Sequence, residues 1–161
     1  MVTAEVLLRP VTPEDRLAMV RMLGEITLFS PQERAVALEV FDASLDDTQQ
    51  DYTSVGAEVD GSLAGWVCWG PTPCTVGTFD MYWIAVDPSV HGAGVGSKLV
   101  EEMERRLAGR ARMIVVETGG RKEYEPTRAF YLARGYEIVS RVPDFYAAGD
   151  DQIVFVKKLQ V

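Results

Sequence analysis

The chain has 161 residues, 47% of them apolar and 25% charged, with a formal net charge of −8 and a pI near 4.7. That length supports one domain, residues 1–161, around a single buried core, and the composition is that of an ordinary soluble globular protein. The acidic balance argues against nucleic acid or an anionic membrane surface as partner, because both select a basic face.

In chain order, Met1-Val2-Thr3-Ala4-Glu5 has no basic segment leading into an apolar one, and no apolar run reaches membrane-span length. A cytoplasmic location is the expectation. Val6-Leu7-Leu8 reads as a short strand ending at Pro10. Thr12-Pro13-Glu14-Asp15 offers a cap, a proline at the first helical position and early acids, and so opens a helix through about Leu23. Ser30-Pro31-Gln32-Glu33 is a capping box that starts a second helix through Val36, Val40 and Phe41. A polar connection from Asp42 to Asp51 follows.

Strands are expected over Thr53–Val59 and Leu63–Trp69, joined by Asp60-Gly61, a hairpin signal. Cys68 and Cys74 flank a Gly70-Pro71-Thr72-Pro73 turn and match neither zinc spacing nor Cys-x-x-Cys, so reduced thiols are expected. With His91 the only histidine, a histidine-rich metal site or a Ser/His/Asp triad has little material, and no metal is expected. Gly77 to Val86 reads as a long strand, and Arg112 to Glu117 as a buried one. Pro126 to Arg134 reads as a short helix closed by Gly135. Tyr136–Val142 and Gln152–Leu159 are the last strands, with Asp144, Phe145, Tyr146, Gly149, Asp150 and Asp151 in the loop between them. The order β-α-α-β-β-β-α-β-α-β-β predicts a mixed α/β sheet, and nothing in it excludes a homodimer.

Between the fourth strand and third helix the chain reads His91-Gly92-Ala93-Gly94-Val95-Gly96-Ser97. Val95, Leu99, Met103 and Leu107 then recur every four residues among charged ones, the pattern of an amphipathic helix. Glycines lack a Cβ, so a ligand can lie against their N–H groups. Those donors join the unpaired N–H groups and positive dipole end of the helix, an arrangement suited to a phosphate or pyrophosphate. A P-loop needs Gly-Lys-Ser/Thr, whereas the order here is Gly96-Ser97-Lys98. A dinucleotide fingerprint needs its first glycine at the strand end, but Asp87 to His91 intervene; only Glu117, about twenty residues on, fits that pattern.

With these elements in place the chain resembles the GNAT superfamily of N-acetyltransferases over essentially its full length. The family's acyl-CoA loop, Gln/Arg-x-x-Gly-x-Gly/Ala, corresponds to His91 to Gly96, with His91 where glutamine or arginine is customary. Its preceding strand, Glu-x-x-x-x-x-Val, corresponds to Asp80 to Val86, one methylene shorter at the acid. Its later helix, Phe/Leu-Tyr-x-x-x-Gly-Phe/Tyr, corresponds to Phe130 to Tyr136, and Tyr124 stands where many relatives have an asparagine.

The resemblance implies a mostly antiparallel sheet of about seven strands, splayed between the fourth and fifth, with about four flanking helices. It implies acetyl-CoA as acyl donor. Main-chain groups of Ile84, Ala85 and Val86 would bond the pantetheine arm, and His91, Gly92, Ala93, Gly94, Val95, Gly96 and Ser97 would hold the pyrophosphate. It gives Tyr131 the role of general acid to the leaving thiolate. Asp80, acting through a water, ranks first as base on family position. Glu117, placed by its position at the end of the adjacent strand, is the second candidate, as base or as anchor of the substrate amine. An N–H near Val86 would be the oxyanion donor. Leu28, Phe29 and Tyr146 would line the site of a small-molecule amine. A Rossmann-type oxidoreductase and a catalytically silent acyl-CoA-binding module are the competing readings.

Overall fold

The computed structural model describes residues 5–160; Met1–Ala4, read above for a leader, lie outside them. The strands are β1 (Val6–Arg9), β2 (Thr53–Val59), β3 (Ser62–Pro71), β4 (Thr78–Val86), β5 (Met113–Gly119), β6 (Glu137–Ala147) and β7 (Asp150–Lys158). The helices are α1 (Arg16–Glu25), α2 (Pro31–Ser44), α3 (Val95–Leu107) and α4 (Glu125–Ala133). The hydrogen-bonded strand order is β1-β2-β3-β4-β5-β7-β6. The β1/β2, β2/β3, β5/β7 and β6/β7 ladders are antiparallel and β4/β5 is parallel, giving the mixed, mostly antiparallel sheet expected. Two compact units make up the chain, Met1–Gly70 with Tyr82–Leu107, and Pro71–Met81 with Ala108–Val161.

In the first unit, local sequence signals decide the element ends. The Ser30 hydroxyl accepts from Glu33 N–H at 3.1 Å and the Glu33 carboxylate accepts from Ser30 N–H at 2.6 Å, closing the capping box of α2. Asp60 and Gly61 both adopt positive φ, 52° and 79°, as a two-residue hairpin turn between β2 and β3 requires. Met19, Met22 and Leu23 of α1 and Ala37 and Phe41 of α2 bury against Trp66, Cys68 and Ala85. The other face of β3 meets α3: a Cβ placed on Gly65 would lie 2.7 Å from Val95 Cγ1 and 3.0 Å from Leu99 Cδ1.

The Thr12-Pro13-Glu14-Asp15 signal forms one 3-10 turn, Pro13–Asp15, before α1 begins at Arg16. Its acid is tied to β1. Arg9 donates through both Nη atoms to the Asp15 carboxylate at 2.8 Å and through Nε to Glu58 at 2.6 Å. The paired fork of donors holds the Asp15 carboxyl below its ordinary range, against the opposing effect of burial. A depressed carboxyl contributes stability above its unfolded pKa, and that contribution is lost as pH falls through the folded value. Asp15→Asn is therefore expected to lower the melting temperature at pH 7 by about 4–8 °C, equivalent to about 2 kcal/mol. Melts of both proteins should converge as pH drops below about 4; an equal gap at pH 3 would show that packing, not charge, is lost.

In the second unit, β5 lies between β4 and β7. The parallel ladder pairs Thr78 with Met113, Phe79 with Ile114 and Asp80 with Val115, and it ends there. Ile114 and Val116 bury on one face beside Ile153 and Phe155 of β7. Gly135, at φ 87°, closes α4 as expected. One expectation needs correction. The loop foreseen from Pro143 to Asp151 is mostly strand, because β6 runs to Ala147 and only Ala148 and Gly149 turn the chain. β6 is the edge of the sheet, where a proline's missing N–H removes no ladder bond. The ladder is irregular between Val142 and Ala147, with Asp144 at φ 54°.

Candidate active site

The first unit carries every candidate for holding the cofactor. Asp87 N–H donates to Ala64 O at 2.8 Å, and the Asp87 carboxylate accepts from Ser89 N–H at 2.9 Å. These bonds set the 3-10 turn Pro88–Val90 that launches the glycine loop. Gly92 and Gly94 have φ of 86° and 76°, and a Cβ added at either would meet nothing within 4 Å. Both glycines thus serve conformation and leave the space above the loop open; neither is required by packing. Lys98 N–H to Gly94 O, at 3.1 Å, begins the helical ladder, so the N–H groups of Val95 and Gly96 come before it. Val95 itself points into the core against β3.

Just upstream, Ala85 is buried in the cluster beneath α1 and α2, while Ile84 and Val86 are half-buried. Strand alternation therefore turns Ala85 away from its two neighbours. His91 is exposed and Ser97 half-buried. Leu28 and Phe29 occupy the turn between α1 and α2. Phe29 meets Trp83 edge-on at 5.6 Å, and Trp83 stacks on Trp66 at 6.5 Å, so this turn is pinned to the core by rings.

The second unit carries the acid and base candidates. Asp80 pairs with Val115, and Glu117 lies two residues further along β5, so both carboxylates fall on one sheet face. Asp80 is half-buried and Glu117 exposed. Tyr131 packs on the opposite face, 5.3 Å from Phe155 and 5.9 Å from Tyr136 by ring centroid, where Phe155 pairs with Val116. Its side chain is 3% exposed, and that burial pushes the phenol's pKa well up, so it keeps its proton throughout the neutral range. Tyr146 lies on β6, not in a loop. Its phenol is also pushed up, first by burial and then by the charges of Glu117 and Asp150. The Gln152 side chain opposes that rise.

Thr72 is a contact that the sequence reading missed. The Thr72 hydroxyl donates to Asp80 Oδ2 at 2.7 Å. A hydroxyl in a proline-rich turn carries no periodic signal; only the hairpin brings it to the carboxylate.

A family model described as the acetyltransferase (GNAT) family matches residues 20–136. A crystal structure of a GNAT-family protein from Desulfovibrio desulfuricans is 36% identical, covers 97% of this chain and 100% of that one, and superposes with a TM-score of 0.91. A curated relative, named an uncharacterized N-acetyltransferase, comes from Methanocaldococcus jannaschii and is 26% identical over 107 residues. That match spans 63% of this chain and 64% of the relative's length. An aminoglycoside 6'-N-acetyltransferase complexed with coenzyme A shares the fold, at 17% identity and a TM-score of 0.73 over 96% of this chain and 98% of that one. Among the described residues no helix is long and apolar enough to cross a membrane, and no group of three or more His, Cys, Asp or Glu side chains could hold a metal ion.

Proposed function

Because the chain belongs to the acetyltransferase (GNAT) family, we propose that it moves the acetyl group of acetyl-CoA to the primary amine of a small molecule. The attack is direct, within a ternary complex. The observation that carries this reading is the open turn at Gly92 and Gly94 ahead of α3, whose main-chain donors suit a diphosphate without a basic patch. Residues 92–97 hold the pyrophosphate, and the main chain of Ile84 to Val86 holds the pantetheine arm; the buried side chain of Ala85 is consistent with a contact through backbone alone. The coenzyme A complex of the aminoglycoside enzyme supports the choice of cofactor.

When bound, acetyl-CoA supplies an activated acyl group and a thiolate leaving group. Asp80, with Glu117 beside it on the same face, takes the proton of the incoming ammonium. Tyr131, on the other face and protonated by virtue of its burial, delivers a proton to the departing sulfur. Proton removal and proton delivery both occur at groups bonded to the one carbonyl carbon, so this assignment requires Asp80 and Tyr131 to approach the same thioester from the two faces of β5. Cys68 is no candidate for an acyl-enzyme: it is buried, and burial pushes its thiol up to about 12. Positioning of two bound reactants contributes roughly 7–11 kcal/mol to such a reaction, and one acid or base about 10²–10⁴-fold.

The acceptor assignment rests on charge. Asp80 and Glu117 lie on one sheet face, while Asp150 is already paired with Arg121 at 3.4 Å, and the two carboxylates on that face favour an ammonium. Release of coenzyme A thiol across a panel of small primary amines tests it, and at least one amine should give turnover well above hydrolysis. Silence across the panel, with acetylation of a protein N-terminus or lysine instead, would replace the small-molecule reading. Coenzyme A binding with no transfer to any amine would leave only a binding module.

A further inference from the structure

The turn between β3 and β4 is braced more heavily than a connection needs. Thr72 N–H donates to Thr78 O at 2.9 Å, and Thr72 O accepts from the Thr75 hydroxyl at 2.7 Å, so both main-chain groups of Thr72 are fixed. The far end of the turn is tied to the start of β5. Arg112 N–H donates to Gly77 O at 2.7 Å and Arg112 Nη1 donates to Val76 O at 3.0 Å. Gly77 sits at φ 77°, and a Cβ there would come within 3.0 Å of the Arg112 side chain. A hydroxyl on a backbone held in this way has few directions to point.

It points at a carboxylate. Thr72 Oγ1 donates to Asp80 Oδ2 at 2.7 Å, within the range of a charge-assisted O–H···O⁻ bond. Asp80 is the last residue of the β4/β5 ladder, so its backbone is fixed by the sheet and its carboxylate by Thr72. That bond uses Oδ2 and leaves Oδ1 for the proton of the acceptor. A short aspartate cannot reach as far as a glutamate, so its orientation matters more, and a misplacement of about 1 Å can cost on the order of 10²-fold in rate.

We propose that Thr72 is a positioning residue, a fixed hydroxyl on the β3–β4 turn that orients the Asp80 carboxylate so that Oδ1 faces the acceptor amine. The inference rests on the reading of Asp80 as the base, and the experiment separates the two. Turnover is measured at saturating acetyl-CoA with ethanolamine or tyramine, whichever the wild-type enzyme uses faster. Thr72→Val, which keeps the shape and removes the hydroxyl, should lower kcat by about 10- to 100-fold and leave the KM for acetyl-CoA within about threefold. Thr72→Ser should recover most of the loss. In an Asp80→Asn background, Thr72→Val should have no further effect, because the two residues then act as one unit. A crystal structure of Thr72→Val should show the Asp80 side chain in more than one rotamer, and one of Thr72→Ser a single rotamer.

If Asp80→Asn loses 10²-fold or more while Thr72→Val runs at the wild-type rate, the positioning role is wrong and the base assignment stands. Wild-type turnover in Asp80→Asn overturns the base assignment and the positioning role with it. A Thr72→Ser enzyme as slow as Thr72→Val also overturns the inference, since the hydroxyl would then be irrelevant.

Discussion

Tyr131→Phe is expected to lower kcat by about 10²–10⁴-fold and to leave the affinity for acetyl-CoA nearly unchanged. The substitution removes one oxygen and nothing else. The ring keeps its contacts with Phe130, Tyr136 and Phe155, at 5.5, 5.9 and 5.3 Å between centroids, so the core of the second unit should pack as before. Stability should move by no more than about 1 kcal/mol, the usual net worth of one hydroxyl. The rate is a different matter, because a thioester releases a thiolate that must be protonated. Burial holds the Tyr131 phenol in its acid form across the neutral range. Steady-state kinetics with both substrates saturating would decide the matter, with a calorimetric melt to confirm folding. A variant turning over at the wild-type rate would remove Tyr131 from the mechanism.

Gly94→Val should produce the second large effect, on binding. Gly94 has φ 76°, a region that costs an L-residue roughly 1–2 kcal/mol, and a β-branched residue tolerates it worst. The new side chain would meet no protein atom at its Cβ, since nothing lies within 4 Å. The fold should therefore survive with a modest drop in melting temperature. The methyl groups would instead stand in the space above the loop, where the diphosphate of the coenzyme is assigned. Coenzyme A affinity should fall by about 10²-fold or more, equivalent to about 2.7 kcal/mol. Titration calorimetry reads this directly, and the thermal upshift that coenzyme A gives the wild-type protein should disappear. An unchanged dissociation constant would mean that the glycine loop does not hold the coenzyme.

Several elements were legible because their signals are local. The capping box at Ser30 and Glu33, the Asp60-Gly61 turn and the glycine that closes α4 each need a residue type at a fixed offset, and each formed as read. The four-residue spacing of α3 buried Val95, Leu99, Met103 and Leu107 together. The glycine loop was read from its own residues as a turn open to an anion, whereas the role proposed for Tyr131 comes from a resemblance spread over three motifs in order. Long-range relations were not legible. That Asp80 and Glu117 share a face opposite Tyr131 depends on the β4/β5 and β5/β7 registers, which no short pattern encodes. The extension of β6 past Pro143 was missed because a proline amid acids usually means a loop, and only edge position permits it in a strand.

The division of Tyr131 from the two carboxylates by a layer of main chain has a consequence for how the catalyst resets between cycles. If the proposed roles hold, the β5 backbone separates the group that gains a proton from the group that loses one, and no side chain among those named for the site links them across it. Under the proposed mechanism each turnover would discharge one side to bulk solvent and recharge the other from it. On that reading Glu117 is open to water and the Tyr131 phenol is enclosed, so reprotonation of the phenol is the exchange expected to be the slower.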